Sequence, residues 1–428
     1  MNYKEAINYI EKLNQHGIVP GLDSIRTLCA GLGNPQEQLS FVHIAGTNGK
    51  GSTLAYLSTI LQKAGYRVGR YLSPTLFDYR ERFQVNQHRI SQTLFTQLLE
   101  QVKQVCDGMV AEGMPEPTAF EVETALAFLF FKTKRCDLVV LETGLGGTLD
   151  ATNLIQHTVA AVITSISLDH MGILGNTLTE IAENKAGIIK NGCYVISVKQ
   201  QPEAEAVIEQ TCLEKQTKLV IADPGKASHI KYGIKKQSFQ YGGDKAYEIT
   251  LAGVCQIDNA VLAIETIDVL RQAGFPVSQT QLRQGLFDTK WPGRFEPIAQ
   301  NPLFIVDGAH NRDAALRLAE SIRFYFTNKR IIYIMGILRD KEYEEIIKAT
   351  YCYAAHIITV TPPHNKRALR AYDLAMELQQ YHTSVTVADS LEEAVEISHL
   401  LAAKTDVILA FGSLSYLGEL TRIVQNKA

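Results

Sequence analysis

Apolar and polar positions along the chain fall into short alternating blocks. Tyr3, Ile7, Ile10 and Leu13 mark one face of an opening helix, and Asn2 and Glu5 have capping-box spacing. Phe41-Val42-His43-Ile44-Ala45 predicts a short buried strand ending in a glycine-rich turn, followed by a helix from Ser52 to Ala64 that Gly65 stops. The pattern then repeats. A helix from Thr118 to Lys134 leads into a dense apolar strand from Asp137 to Glu142. Another strand runs from Val159 to Thr164, and a helical stretch passes through Asn184-Lys185-Ala186. A Pro/Gly break at Trp291-Pro292-Gly293-Arg294 holds the only tryptophan. Beyond it, strand-like runs recur at 303–306, 330–335, 356–360, 384–387 and 406–411, with helical runs between them. Apolar strands alternating with helices predict an α/β fold with mostly parallel sheets covered on both faces.

Length turns this into two domains, because 428 residues exceed what one core usually supports. The expected division is 1–295 and 296–428, the second an independent Rossmann-like α/β domain. A net charge of −3 argues against a general nucleic-acid binder. The longest apolar run, Ala125 to Phe131, is too short to span a membrane, and the polar start Met1-Asn2-Tyr3-Lys4-Glu5 has no signal-peptide core. Seven scattered cysteines without a CxxC pair suit reduced thiols, so a cytoplasmic location is expected.

The strongest local signal is Gly46-Thr47-Asn48-Gly49-Lys50-Gly51-Ser52, set between a predicted strand and a predicted helix. Small residues let backbone N–H groups close around phosphate oxygens, and the helix N-terminus adds favourable partial charge. Lys50 supplies a mobile cation for the β- and γ-phosphates, and Ser52 is placed to cap the helix or approach a metal. Gly51 is inserted between lysine and hydroxyl relative to the usual Gly-x-x-x-x-Gly-Lys-Ser/Thr, which counts against a kinase or GTPase.

Gly-Thr-Asn-Gly-Lys followed by a small residue resembles the ATP loop of the Mur-ligase superfamily. The form Gly-Lys-Gly-Ser is similar to its folylpolyglutamate synthase and dihydrofolate synthase branch. Further motifs of that branch follow in order over nearly the whole chain. They are Gly21-Leu22-Asp23-Ser24-Ile25, Ser73-Pro74, Arg80-Glu81-Arg82, Phe120-Glu121, Glu142-Thr143-Gly144-Leu145-Gly146-Gly147, Asp150-Ala151-Thr152-Asn153, Asp169-His170, Asn184-Lys185-Ala186-Gly187, Trp291-Pro292-Gly293-Arg294 and Asp307-Gly308-Ala309-His310-Asn311. The resemblance implies an N-terminal P-loop ATPase-like domain and a C-terminal glutamate-ligase domain. It also implies ATP-dependent addition of L-glutamate to a folate or to dihydropteroate through an acyl phosphate, by a monomeric enzyme.

The same resemblance distributes roles. Gly49, Lys50, Gly51, Ser52, Asn259, Arg294 and Asp307 would bind ATP. Ser73, Glu142 and His170 would hold Mg²⁺, with a second Mg²⁺ supported by Lys185 once CO₂ has carbamylated it. Thr118, Ala119, Phe120, Glu121, Asp150, Ala151 and Thr152 would face the folate, and His310 and Ser413 the incoming glutamate. Lys50, Lys185 and His310 would be catalytic.

Plainer readings stand beside several of these. Thr118 and Glu121 have capping-box spacing, Asp150 to Asn153 suits an Asx turn, and a helical lysine such as Lys185 is usually solvated. Thr75 and Ser24 depart from the branch pattern, where histidine and arginine are more usual, which bears on substrate preference. A peptidoglycan-precursor ligase would carry an extra N-terminal domain, for which the 45 residues before Gly46 are too few. A P-loop NTPase would leave the C-terminal domain unexplained. A non-catalytic regulator is hard to square with intact Lys50, Glu142 and His170.

Overall fold

The computed structural model describes residues 1–17 and 19–427. The chain folds into two compact units. The first is Met1–Lys226 with Asp258–Asp288, and the second is Ala227–Ile257 with Thr289–Ala428. The division therefore differs from a single cut after residue 295. The chain leaves the first unit after Lys226, returns at Asp258 and leaves again after Asp288.

The first unit is built on eight strands: β1 (Phe41–Ala45), β2 (Val68–Tyr71), β3 (Phe83–Val85), β4 (His88–Arg89), β5 (Leu138–Glu142), β6 (Thr158–Ile163), β7 (Tyr194–Val198) and β8 (Lys218–Ala222). Their order across the sheet is β4-β3-β2-β5-β1-β6-β7-β8; β3 pairs antiparallel with β2 and with β4, and the other pairs are parallel. β1 and β5 are buried along their whole length, as continuous apolar runs require in a sheet covered on both faces. The helix Ala119–Thr133 buries every residue from Val122 to Phe131. Its apolar run thus serves a protein core, and among the described residues no helix is long and apolar enough to cross a membrane.

The second unit holds two sheets. A small antiparallel one, β9 (Ser228–Lys231), β10 (Gln237–Gln240) and β11 (Ala246–Ile249), has β10 at its centre. The larger one comprises β12 (Glu296–Ala299), β13 (Leu303–Asp307), β14 (Ile331–Met335), β15 (His356–Thr359), β16 (Val385–Val387) and β17 (Val407–Phe411). Its order is β12-β13-β17-β14-β15-β16, parallel except for β12. The last strand in sequence lies between β13 and β14, so the loops after β13 and β17 are neighbours at one carboxyl edge. The helix Cys255–Gln272 begins in the second unit and continues into the first.

Candidate active site

In a parallel sheet every strand delivers its carboxyl end to the same edge, and ligands bind in the crevice there. In the first unit β2, β5, β1 and β6 are consecutive neighbours. Glu142, the last residue of β5, is in register with Ile44 of β1, two residues before Gly46. Ser73 lies two residues beyond Tyr71, which is in register with Leu141. His170 lies on the loop after β6. Ser73 and Glu142 thus leave neighbouring strand ends beside the phosphate loop, whereas His170 lies seven residues beyond Ile163, the end of β6, in an exposed turn. Glu142 is 5% exposed, a buried carboxylate beside a loop built for anions, and it suits a cation between them. Ser73, Glu142 and His170 offer a hydroxyl, a carboxylate and an imidazole, a donor set that magnesium accepts. Among the described residues no three His, Cys, Asp or Glu side chains form a metal cluster by themselves, and the expected set relies on Ser73 as well.

The helix after the loop starts at Lys50, two residues earlier than the apolar pattern indicates, with Gly49 as its N-cap. Gly49 has φ +86°, and an added Cβ would stand 2.4 Å from Asn259 Oδ1. Only glycine meets both demands. Asn259 is therefore carried by its helix to the loop itself. The first turn of a helix leaves backbone N–H groups without partners inside the helix, which here places Lys50, Gly51 and Ser52 where an anion would sit.

The loop is zipped to the segment after β6. Thr47 N–H donates to the Ser165 carbonyl (2.7 Å), Thr47 Oγ1 donates to the Ser167 carbonyl (3.0 Å), and Ser167 N–H donates back to Thr47 Oγ1 (3.1 Å). Ser165 Oγ donates to the Asn48 carbonyl (3.3 Å). Gln200, after β7, pins this segment by donating to the Thr164 carbonyl (2.8 Å) and accepting from Ile166 N–H (3.0 Å). Sequence reasoning passed over Ser165, Ser167 and Gln200. The available signal was the hydroxyl run Thr164-Ser165-Ile166-Ser167 directly after an apolar strand.

Two lysines converge on this loop. Lys50 Nζ donates to the Gly46 (3.0 Å) and Thr47 (3.1 Å) carbonyls, and Lys185 Nζ donates to the Gly46 carbonyl (2.8 Å). Lys185 is 3% exposed, so the solvated-lysine reading fails. Burial pulls its pKa down to about 7, and the charge on Lys50 pulls the same way against Asp169 and Asp150. The double glycine before it has a packing cause. A Cβ on Gly147 would lie 2.6 Å from the Asn184 carbonyl oxygen and 2.8 Å from that of Lys185, so the helix Leu178–Ala186 rests directly on this turn. Gly147 N–H donates to Asn184 Oδ1 (3.0 Å) and Thr148 N–H to the Asn184 carbonyl (2.8 Å).

The two segments expected to face the folate lie close together. Phe120 packs against Gly144, where a Cβ would stand 2.4 Å from the ring. Thr118 and Glu121 form the complete capping box: Thr118 N–H and Oγ1 both donate to Glu121 Oε2 at 2.8 Å, and Glu121 N–H donates to Thr118 Oγ1 at 3.3 Å. Asp150 accepts from Leu145 N–H (2.7 Å), Thr152 N–H (3.0 Å) and Thr152 Oγ1 (2.5 Å). Burial raises its pKa while those bonds oppose the rise. Thr118, Glu121, Asp150 and Thr152 are all buried and make internal bonds, as the plainer readings have it.

In the second unit Asp307 ends β13 and accepts from Phe295 N–H (2.8 Å) and Ala309 N–H (2.8 Å). Burial raises its pKa, and Arg294 and the two N–H groups oppose this. Arg294 Nη1 donates to the Gly308 carbonyl (3.4 Å). His310 Nδ1 lies 2.8 Å from the same carbonyl, which only accepts, so Nδ1 carries a proton. Ser413 follows β17, the neighbour of β13, and its Oγ sits 2.9 Å from Ser415 Oγ. Arg294, Asp307, His310 and Ser413 therefore share the carboxyl edge of adjacent strands.

A phosphate loop on one parallel sheet and a second α/β unit with a polar carboxyl edge make the class that of the Mur ligases. The Mur ligase middle domain matches residues 44–267, and the Mur ligase glutamate ligase domain matches residues 293–414. A dihydrofolate synthase/folylpolyglutamate synthase of Bacillus subtilis is 35% identical over 98% of both chains. The crystal structure of a folylpolyglutamate synthase from Thermotoga maritima is 32% identical, with a TM-score of 0.85 over 100% of this chain and 97% of that one. A folylpolyglutamate synthase of Mycobacterium tuberculosis, solved with ADP and AMPPCP, is 26% identical with a TM-score of 0.91 over the whole of both chains. The chain belongs to the folylpolyglutamate synthase/dihydrofolate synthase family of ATP-dependent ligases.

Proposed function

We propose that this chain joins L-glutamate to folates at the expense of ATP, and that it accepts both dihydropteroate and tetrahydrofolate. The observation that carries the reading is the convergence of Lys50 and the buried Lys185 on the Gly46 carbonyl, at the sheet edge where Glu142 also ends. A cation from Lys50, with a buried amine of lowered pKa beside it, suits a reaction in which negative charge spreads over a transferring phosphoryl group.

In this reading the acceptor's terminal carboxylate oxygen attacks the γ-phosphorus of ATP. The bond to the β-phosphate oxygen breaks, ADP leaves, and an acyl phosphate results. The glutamate amine then attacks the acyl carbon, loses a proton, and the carbon–oxygen bond to phosphate breaks. Lys50 moves from the loop carbonyls to the phosphate oxygens. Asn259 bears on the loop at Gly49. Arg294 and Asp307 are assigned to the nucleotide, and His310 and Ser413 to glutamate. The helix start at Thr118 to Glu121 and the Asp150 to Thr152 turn are assigned to the acceptor.

Ser73, Glu142 and His170 would hold Mg²⁺, which when bound neutralises phosphate charge and keeps the oxygens in line. With a pKa near 7, Lys185 has a neutral fraction at physiological pH. That amine adds to CO₂, forming a nitrogen–carbon bond and releasing a proton, and the resulting carbamate would support a second Mg²⁺.

The test is incubation of the protein with Mg-ATP and radiolabelled glutamate, offering dihydropteroate, tetrahydrofolate or no acceptor, beside Lys50→Ala. Label is expected on both acceptors and on neither with the variant. ATP consumption without extension of either acceptor refutes the assignment.

A further inference from the structure

β1 is apolar at Phe41, Val42, Ile44 and Ala45, and its one polar residue, His43, is completely buried. The ring's Nε2 lies 2.8 Å from Thr152 Oγ1, a residue 109 positions away. The direction of this bond follows from the next one. The Thr152 hydroxyl gives its single proton to Asp150 Oδ1, at 2.5 Å. Thr152 Oγ1 therefore accepts from His43, whose proton is on Nε2. Nδ1 is then an acceptor, and it is buried without a hydrogen-bond partner.

An unpartnered buried acceptor weakens a fold, and a hydrocarbon of similar volume would be the more stable occupant of β1. Burial also keeps the ring neutral, with its pKa pulled down to about 3 and Lys190 adding to the effect. A histidine kept at a cost to folding has its use in the one bond it makes. That bond joins β1, three residues ahead of Gly46, to the turn at Asp150 to Thr152. The turn has other braces. Asn153 Nδ2 donates to the Thr148 (3.1 Å) and Gly187 (3.0 Å) carbonyls, and Lys190 Nζ donates to the Asn153 carbonyl (3.0 Å). None of these reaches β1.

We propose that His43 is a positioning residue for the folate acceptor: its bond to Thr152 fixes the acceptor-facing turn to the strand that carries the phosphate loop. Acceptor carboxylate and γ-phosphate are then presented from one frame. The inference rests on the reading above that this turn faces the folate.

Glutamine carries its amide nitrogen near the Nε2 position of a histidine ring, and asparagine near Nδ1. His43→Gln therefore keeps a donor opposite Thr152, whereas His43→Asn draws it out of reach, and both bury an amide. The full chain is assayed with Mg-ATP, glutamate and whichever acceptor the wild type extends. His43→Asn is expected to raise KM for the acceptor about tenfold, with KM for ATP within about twofold, and His43→Gln to recover most of the loss. Should His43→Asn not fold, His43→Leu removes the donor with a hydrocarbon of similar volume and is expected to give the same rise. A purely structural role would lower the melting temperature and active fraction of His43→Asn and His43→Gln alike at unchanged acceptor KM. That result, or a wild-type acceptor KM in His43→Asn or in His43→Leu, overturns the inference. A wild type that extends neither acceptor overturns the folate reading instead, so the two failures are distinguishable.

Discussion

Gly147→Ala is the sharpest probe of how Lys185 is held. The new methyl would lie 2.6 Å from the Asn184 carbonyl oxygen and 2.8 Å from that of Lys185, and both are backbone atoms that no rotamer change can move aside. Ordinary contact begins near 3.4 Å, so the helix Leu178–Ala186 must retreat by about 0.6–0.8 Å. Overpacking of this kind costs about 1–3 kcal/mol, and each kcal/mol lowers the melting temperature of a unit this size by about 2–4 °C. The retreat draws Lys185 from its 2.8 Å bond to the Gly46 carbonyl. On the role proposed above for Lys185, misplacement by most of an ångström costs on the order of 10–100-fold in kcat. Glutamate incorporation under saturating substrates and calorimetric melting measure the two effects. Gly108→Ala is the control, because Gly108 lies in the helix Gln92–Ala111 with nothing within 4 Å of an added Cβ. It should leave kcat unchanged and stabilise by about 0.5–1 kcal/mol. A Gly147→Ala protein with wild-type kcat and melting temperature would refute the argument that this close approach sets the position of Lys185.

Lys185 also makes stability depend on pH. Its folded pKa is about 7 against an ordinary 10.5, so between these values the unfolded chain holds a proton that the folded one has released. In CO₂-free buffer the melting temperature of the wild type, relative to that of Lys185→Met, should rise from pH 7 toward pH 10; a flat difference contradicts the burial argument. Thr118→Val removes the capping hydroxyl from the helix Ala119–Thr133 and should cost about 1 kcal/mol in urea denaturation. Asp307→Asn leaves one acceptor oxygen for two N–H donors, those of Phe295 and Ala309. It should destabilise by about 1–3 kcal/mol in the same measurement.

The elements that could be read from the sequence are those whose cause is local. β1, β5, β6, β13 and β14 are dense apolar runs, and the helix Ala119–Thr133 announces itself by Thr118, Glu121 and the run behind them. The phosphate turn is legible because glycine spacing and strand–helix context coincide at Gly46 to Ser52. β9 is fully exposed and β11 exposed at alternate residues, so neither carries the apolar run that marks a buried strand, and the small antiparallel sheet went unforeseen. The double crossing between units is not legible either, because Pro224-Gly225 before Lys226 reads as one more turn and Asp258 lies inside a continuous helix. Within the site, sequence order identified Lys50, Lys185 and Glu142 as candidates. It could not show that Thr47 pairs with Ser165 and Ser167, that Gln200 pins that segment, or that Asn259 bears on Gly49. Those contacts join residues separated by more than thirty positions and exist only once the sheet is assembled.

The return of the chain to its first unit has a consequence for synthesis. The helix Gln279–Asp288 lies so close on Lys50–Lys63 that a Cβ at Gly285 would stand 2.5 Å from the Ile60 Cα. Phe275 meets Tyr66 edge-on, the Tyr66 hydroxyl donates to the Pro276 carbonyl, and Asp288 pairs with Lys63. A nascent chain halted at Lys226 would already possess all eight strands of the first sheet, yet the helix behind the phosphate loop would show one face to the ribosome and its chaperones. That face is covered only after some sixty further residues have emerged, at about 5–20 residues per second. The loop that defines the enzyme is therefore made early and buttressed late.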